Sequence, residues 1–354
     1  MAIIDTPSTY FQTTVYTGNA SNNHAITNSG PSNLAPNWVW IKNRSTGDNR
    51  LFDSVRGVNK IFTSNNTSAS DGNYSSTLTA FGSNGFTLAN DSDGFNVNAN
   101  SNPYVSWNWA AGTSFTNDAS VTGIGTIDSA GSVNQDAGFS ICSFTGTGSN
   151  GTVKHGLNSA PSTIIYKRSN SSGGWVVWHK SIGTNILELN GTGAQQSGSS
   201  YINGTVPTSS VFSIGTSGDI NANGGTYIAY CFAGKQSYSK FKSYKGNGSA
   251  NGPFSYTGFK PAYILLKESS STGSWCIFDS KRLGFNQSNP RLYANNTSGE
   301  DSSEEIFDIL SNGFKIRGTQ SDTNASGQTY IYMAFAENPF VTSTGDGSIP
   351  TTAR

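Results

Sequence analysis

Pro36-Asn-Trp-Val-Trp-Ile-Lys42, Pro161-Ser-Thr-Ile-Ile-Tyr-Lys167 and Pro261-Ala-Tyr-Ile-Leu-Leu-Lys267 share one frame: a proline, a largely apolar run, and a lysine six positions on. Proline has no N–H for a sheet ladder and sits well at the first position of a strand. The β-branched and aromatic residues behind it favour extended structure. Each frame reads as a strand, and its threefold recurrence directs the search outward for a longer repeat.

Three further signatures recur in the same order. Upstream lies an aromatic residue followed by a glycine turn: Tyr16-Thr-Gly-Asn-Ala, Phe144-Thr-Gly-Thr-Gly and Tyr244-Lys-Gly-Asn-Gly. Downstream, after a polar turn, a second apolar run closes on Gly57, Gly183 or Gly284. Strand, polar turn and strand predict a β-hairpin. Phe86, Phe212 and Phe314 then mark a third element, and a turn plus strand carrying Tyr104, Tyr227 and Tyr330 marks the fourth. The last strand is apolar on both alternating sets over 226–233, which predicts burial on both faces or against a neighbouring copy.

These matches divide the chain into repeat 1 over 1–112, a linker or wandering strand over 113–138, repeat 2 over 139–237, repeat 3 over 238–340 and a tail over 341–354. Segments 58–80, 184–209 and 285–309 differ between copies and read as surface loops. Ser302 to Leu310 offers about two turns of helix as an alternative to strand.

Composition agrees with an all-β chain. Charged residues make up 12% of the sequence, aromatics another 12%, and there are 41 Gly. Short strands joined by polar turns have this character, and the 20 Phe, 15 Tyr and 7 Trp argue against disorder. Lys plus Arg equal Asp plus Glu at 21 each, which disfavours nucleic acid as a partner. The opening MAIIDTPSTYF lacks the pattern of an export signal, and no run is long enough to span a bilayer. A soluble chain with no membrane insertion is expected. Cys142, Cys231 and Cys276 lie in apolar runs and read as buried free thiols.

Asp219-x-Asn221-x-Asn223-Gly224 has the opening spacing of a calcium loop, with Asp322-x-Asn324 and Asn96-x-Asn98-x-Asn100 at the matching places. The closing carboxylate position falls on Tyr230, so Asp219, Asn221 and Asn223 read as hairpin-turn residues ahead of a metal site. His24, His155 and His179 show no catalytic spacing, and His179 stands where the other copies carry Asp53 and Asp279. A glycan hydrolase needs two facing carboxylates, and Glu188, Glu300, Asp301, Glu304 and Glu305 are the candidates. Their clustering reads as a solvated loop. The tryptophans lie inside the repeated strands and read as core, with the paired rings of WVW and WNW on one sheet face. No catalytic residue, no cofactor and no defined binding residue is assigned, and the chain is read as non-enzymatic.

The opening MAIIDTPSTYFQTTVYTG, the LFDSVRG and NPYVSWNWAAG elements, NANGGTYIAYCFAG and the closing TYIYMAFAENPFVTS resemble a family of phage structural proteins, often from marine and cyanobacterial viruses. Its members look like tail-fibre or other virion-associated proteins, and longer ones carry a lectin-like SPRY sandwich. The resemblance implies three tandem β-sandwich repeats, jelly-roll or lectin-like, of about a hundred residues each. It further implies a place in the virion after assembly in the host cytoplasm, contacts with other virion proteins and host-surface glycan, and a homo-oligomer, with trimers common among fibres. The expected function is a tail-fibre or appendage subunit for host attachment. The alternatives are a capsid decoration protein and, third, a polysaccharide depolymerase. The chain departs from the pattern in lacking an evident SPRY module and in carrying His179-Lys180 where the other copies have Asp-Ser.

Overall fold

The computed structural model describes residues 3–70, 72–282, 290–303, 306–339, 341–342 and 349–350. The four signatures become strands of one recurring antiparallel array. In the first copy Phe11–Thr17, Pro103–Trp109, Trp38–Asn43, Asn49–Asp53 and Phe62–Thr63 lie side by side in that order. The second copy repeats the order with Phe139–Thr145, Thr226–Phe232, Thr163–Arg168, Val176–His179 and Asn185–Glu188. The third repeats it with Ser239–Lys245, Thr329–Pro339, Phe259–Glu268, Trp275–Asp279 and Leu292–Tyr293. A small lid sheet built around Gly85–Leu88, Val211–Ile214 or Gly313–Ile316 accompanies each array. The architecture is all-β, a set of sandwiches.

The two faces of each array are buried differently. On Trp38–Asn43, Val39 and Ile41 pack under the lid, while Trp38 and Trp40 face the other way. Ile164 and Tyr166 against Ile165, and Ile264 and Leu266 against Tyr263 and Leu265, show the same alternation. The inner faces of all three arrays meet in a single core. Trp38 stacks on Tyr230 at 4.6 Å, Trp109 meets Phe335 at 5.6 Å, and Phe232 meets Phe335 at 5.7 Å, so every pair of copies is joined ring to ring. The two-sided burial read from 226–233 has this cause: Ile228, Tyr230 and Phe232 enter the shared core, and Tyr227, Ala229 and Cys231 enter the lid core. All seven tryptophans are buried, as are the three free cysteines.

Of the two readings of segment 113–138, linker or wandering strand, the strand holds and the linker does not. Thr113–Asn117 and Ser129–Asn134 pair as two further strands on the outer edge of Phe139–Thr145. Asp118 caps a one-turn helix, Ala119–Thr122, between them. In 302–310, Phe307–Leu310 is a strand rather than helix, because Phe307 and Ile309 alternate inward to the lid core. Glu304, Glu305, Gly284 and most of the tail fall outside the described residues.

The glycine of the aromatic-x-Gly signature is required by close approach. A Cβ on Gly18, Gly146 or Gly246 would sit 2.2, 2.5 or 2.3 Å from the carbonyl oxygen of Ala99, Ala222 or Ala325. The preceding aromatic stacks on the tyrosine of the last strand, at 5.0 Å for Tyr16–Tyr104, 5.3 Å for Phe144–Tyr227 and 5.1 Å for Tyr244–Tyr330. Gly146→Ala is therefore expected to lower stability by about 1–3 kcal/mol. In urea unfolding the midpoint falls while the slope stays constant.

Candidate binding surface at the joints between copies

Each copy holds the next by the same set of contacts. The tips of the variable segments cross to a neighbour, so these segments are straps in part. Ser70 N donates to Ser169 O at 2.9 Å, Gln195 N to Ser269 O at 2.8 Å, and Glu300 N to Arg44 O at 2.7 Å. Gly173, Gly273 and Gly47 amides return the bond to Thr67, Thr192 and Thr297 carbonyls at 3.0, 3.0 and 2.9 Å. Trp175 Nε1 donates to Thr63 O, Trp275 Nε1 to Glu188 O, and Asn49 Nδ2 to Tyr293 O.

The repeated lysines complete these joints. Lys42, Lys167 and Lys267 are fully buried, and each donates across a joint: to Asn296 O at 3.2 Å, Thr67 O at 3.1 Å and Thr192 O at 3.2 Å. Each also donates within its own copy, to Gly47, Gly173 and Glu268 carbonyls. Burial lowers all three to about 8, since desolvation disfavours the charged form.

The acidic position of the second hairpin strand lies at the shared core. Asp53 Oδ2 accepts from Arg56 Nε at 2.5 Å and from the Tyr230 hydroxyl of the second copy at 2.7 Å. Asp279 Oδ2 accepts from Arg282 Nε at 2.6 Å and from Trp107 Nε1 of the first copy at 3.1 Å. The second copy places His179 here. Its Nδ1 accepts from Ser181 N at 3.1 Å and its Nε2 faces Tyr332 O of the third copy at 3.2 Å, which fixes the neutral Nε2–H tautomer. His155 has the same arrangement, with Leu157 N on Nδ1 and Thr208 O at Nε2. Burial lowers His179 to about 3 and His155 to about 4.

The calcium-like spacing builds a loop lock. Asn221 is buried; its Nδ2 donates to Ser149 O and Gly215 O, and its Oδ1 accepts from Thr147 N. Asn324 and Asn98 make the matching bonds in their copies, to Ser249 and Gly318 carbonyls and to Ser21 and Ala89 carbonyls. Asp219 Oδ1 accepts instead from Gly174 N at 2.7 Å, and Asn223 is exposed. The three side chains are not gathered on one point. The carboxylates are likewise committed: Glu300 to Arg44 and Arg282, Asp301 to Arg291, and Glu188 to Gln196. His24 bonds Asn98 Oδ1 at 2.7 Å.

A cleft opens at each joint where the turn after the second hairpin strand approaches the first strand of the next copy. Val55 and Arg56 approach Ser143 and Phe144 in one, Lys281 approaches Gln12 and Thr13 in another, and Lys180 approaches Lys240 and Lys242 in the third. The third cleft, about 430 Å³, is also lined by Lys235 and Tyr256. Sequence reasoning passed over this cluster, although Lys240 and Lys242 of Ser239-Lys-Phe-Lys242, and Lys180, place charge where the other copies are neutral.

A family model described as a domain of unknown function, DUF7483, matches residues 6–339. The chain belongs to that family. No curated protein matches it. One DUF7483 unit thus spans all three arrays and the core they share.

Two outcomes follow for the buried polar groups of this DUF7483 chain. Asp53→Ala leaves a buried guanidinium uncompensated and is expected to cost about 3–5 kcal/mol, read as a fall in melting temperature. His155 and His179 take up protons in the unfolded chain near their ordinary value of about 6.5 but resist them when folded. Stability is therefore complete above that pH and declines as pH falls through 6 toward 4, by up to about 1.4 kcal/mol per pH unit for each histidine. Urea titrations at pH 7, 6 and 5 measure the slope, which shrinks in His155→Thr, a copy of Thr257 at the matching position of the third copy.

Proposed function

We propose that the chain is a non-catalytic scaffold that displays binding surface and, on the resemblance to phage structural proteins, that it is a virion appendage subunit used in host attachment. The observation that carries this reading is the shared core of three arrays, whose inward groups are spent on holding the copies together. Asp53, Asp279 and His179, buried polar side chains at the shared core, serve inter-copy contacts rather than an open cleft. In such a body, what distinguishes one copy from another lies at its joints and outer turns. Three arrays closed on one core within a chain make a compact display unit, and a symmetric assembly of such chains is expected of a virion appendage.

Immunogold labelling of virions is the test. Label confined to tail appendages, with purified protein competing for adsorption to host cells, is the expected result. Label spread evenly over heads would overturn the attachment reading in favour of capsid decoration.

A further inference from the structure

The three copies act as controls for one another: a feature the scaffold requires recurs in each, and a charge present in one alone answers to something else. Strand register aligns Lys240 with Gln12 and Ser140, and Lys242 with Thr14 and Cys142. The Asp-Ser turn aligns Lys180 with Ser54 and Ser280. Neutral residues fill all three positions twice over, so neither pairing nor packing calls for lysine there.

In the folded chain these lysines lie close enough to repel. Burial lowers Lys180 and Lys240, and each is lowered further by Lys242. Among the described residues no carboxylate lines the cleft. Clustering like charges in a partly dry groove opposes folding, and such local conflicts concentrate at functional sites. The groove wall also carries Tyr256, 52% exposed, and Phe254 on the same short strand is 46% exposed. An exposed ring beside donors suits a sugar ring, with its apolar face against the aromatic and its charged substituents toward the ammonium groups.

We propose that this groove, between the Lys180–Ile182 turn of the second copy and the Ser239–Lys245 strand of the third, binds an acidic oligosaccharide. Lys180, Lys240 and Lys242 pair with its carboxylates or sulfates, and Tyr256 supports a sugar ring. The assignment deepens the display reading above and rests on it for its biological meaning. A glycan fits better than nucleic acid, because the cluster has no arginine fork and the chain as a whole is electroneutral.

The test uses the full chain and three probes of equal length: a heparin-derived hexasaccharide, maltohexaose and a six-nucleotide single strand, titrated calorimetrically at low and moderate salt. The proposal expects the acidic sugar to bind, with affinity falling as salt rises, and the neutral sugar not to bind. A variant carrying Lys180→Ser, Lys240→Ser and Lys242→Thr borrows its residues from the other copies. It should bind at least about tenfold more weakly with an unchanged or raised melting temperature. Tyr256→Thr, copied from Thr27, should weaken sugar binding while leaving the melting temperature in place. Absence of binding at low salt, equal binding by the triple variant, or equally tight binding of the nucleotide strand would each overturn the assignment. Protein that blocks virion adsorption without binding acidic sugar sinks the groove alone. Binding by protein that lies on the virion head sinks the attachment reading alone.

Discussion

Everything in this molecule depends on the burial of large rings between three sheets whose inner faces cover one another. A buried aromatic side chain removes about 150–250 Å² from water, which at about 25 cal/mol per Å² is about 4–6 kcal/mol gross. Tyr263, Trp275 and Phe335 of the third copy all face the shared core. If half their burial lies across the joints, exposing them forfeits about 6–9 kcal/mol, comparable with the net stability of a whole domain at about 5–15 kcal/mol. The copies therefore support one another.

That constraint explains why polar side chains recur where they do. Straps that pass from copy to copy must satisfy backbone groups removed from water, and the recurrent lysines supply those partners; within each copy the loop-locking asparagines and the hydroxyls of Tyr104, Tyr227 and Tyr330 do the same for the turns. Tyr104 accepts from Ala99 N at 3.0 Å, Tyr227 from Ala222 N at 2.7 Å and Tyr330 from Ala325 N at 2.8 Å. Ring volume outweighs polar satisfaction at the centre itself. Among the described residues, the Trp38 and Trp109 indole nitrogens and the Tyr238 and Tyr263 hydroxyls end without a hydrogen-bond partner.

The strands and the core residues were legible in the sequence because alternation, glycine turns and aromatic positions are local signals. The Pro-to-Lys frames mark strands, and the paired rings of WVW and WNW share the inner face. The closure of three copies on one core was not legible, since inward and lid-facing positions are equally apolar, as in TYIAYCF. Segment 113–138 read as a linker or a wandering strand, and composition could not choose between them because Ser, Gly and Thr fill edge strands as readily as turns. The basic groove was hidden by an overall charge balance that says nothing of placement; only the register of Lys240 and Lys242 against their neutral counterparts brings it out.

Calorimetric unfolding of the intact chain tests the shared core most directly. The account predicts one cooperative transition whose van't Hoff and calorimetric enthalpies agree. Three separable transitions, each with the enthalpy expected of about a hundred residues, would contradict it.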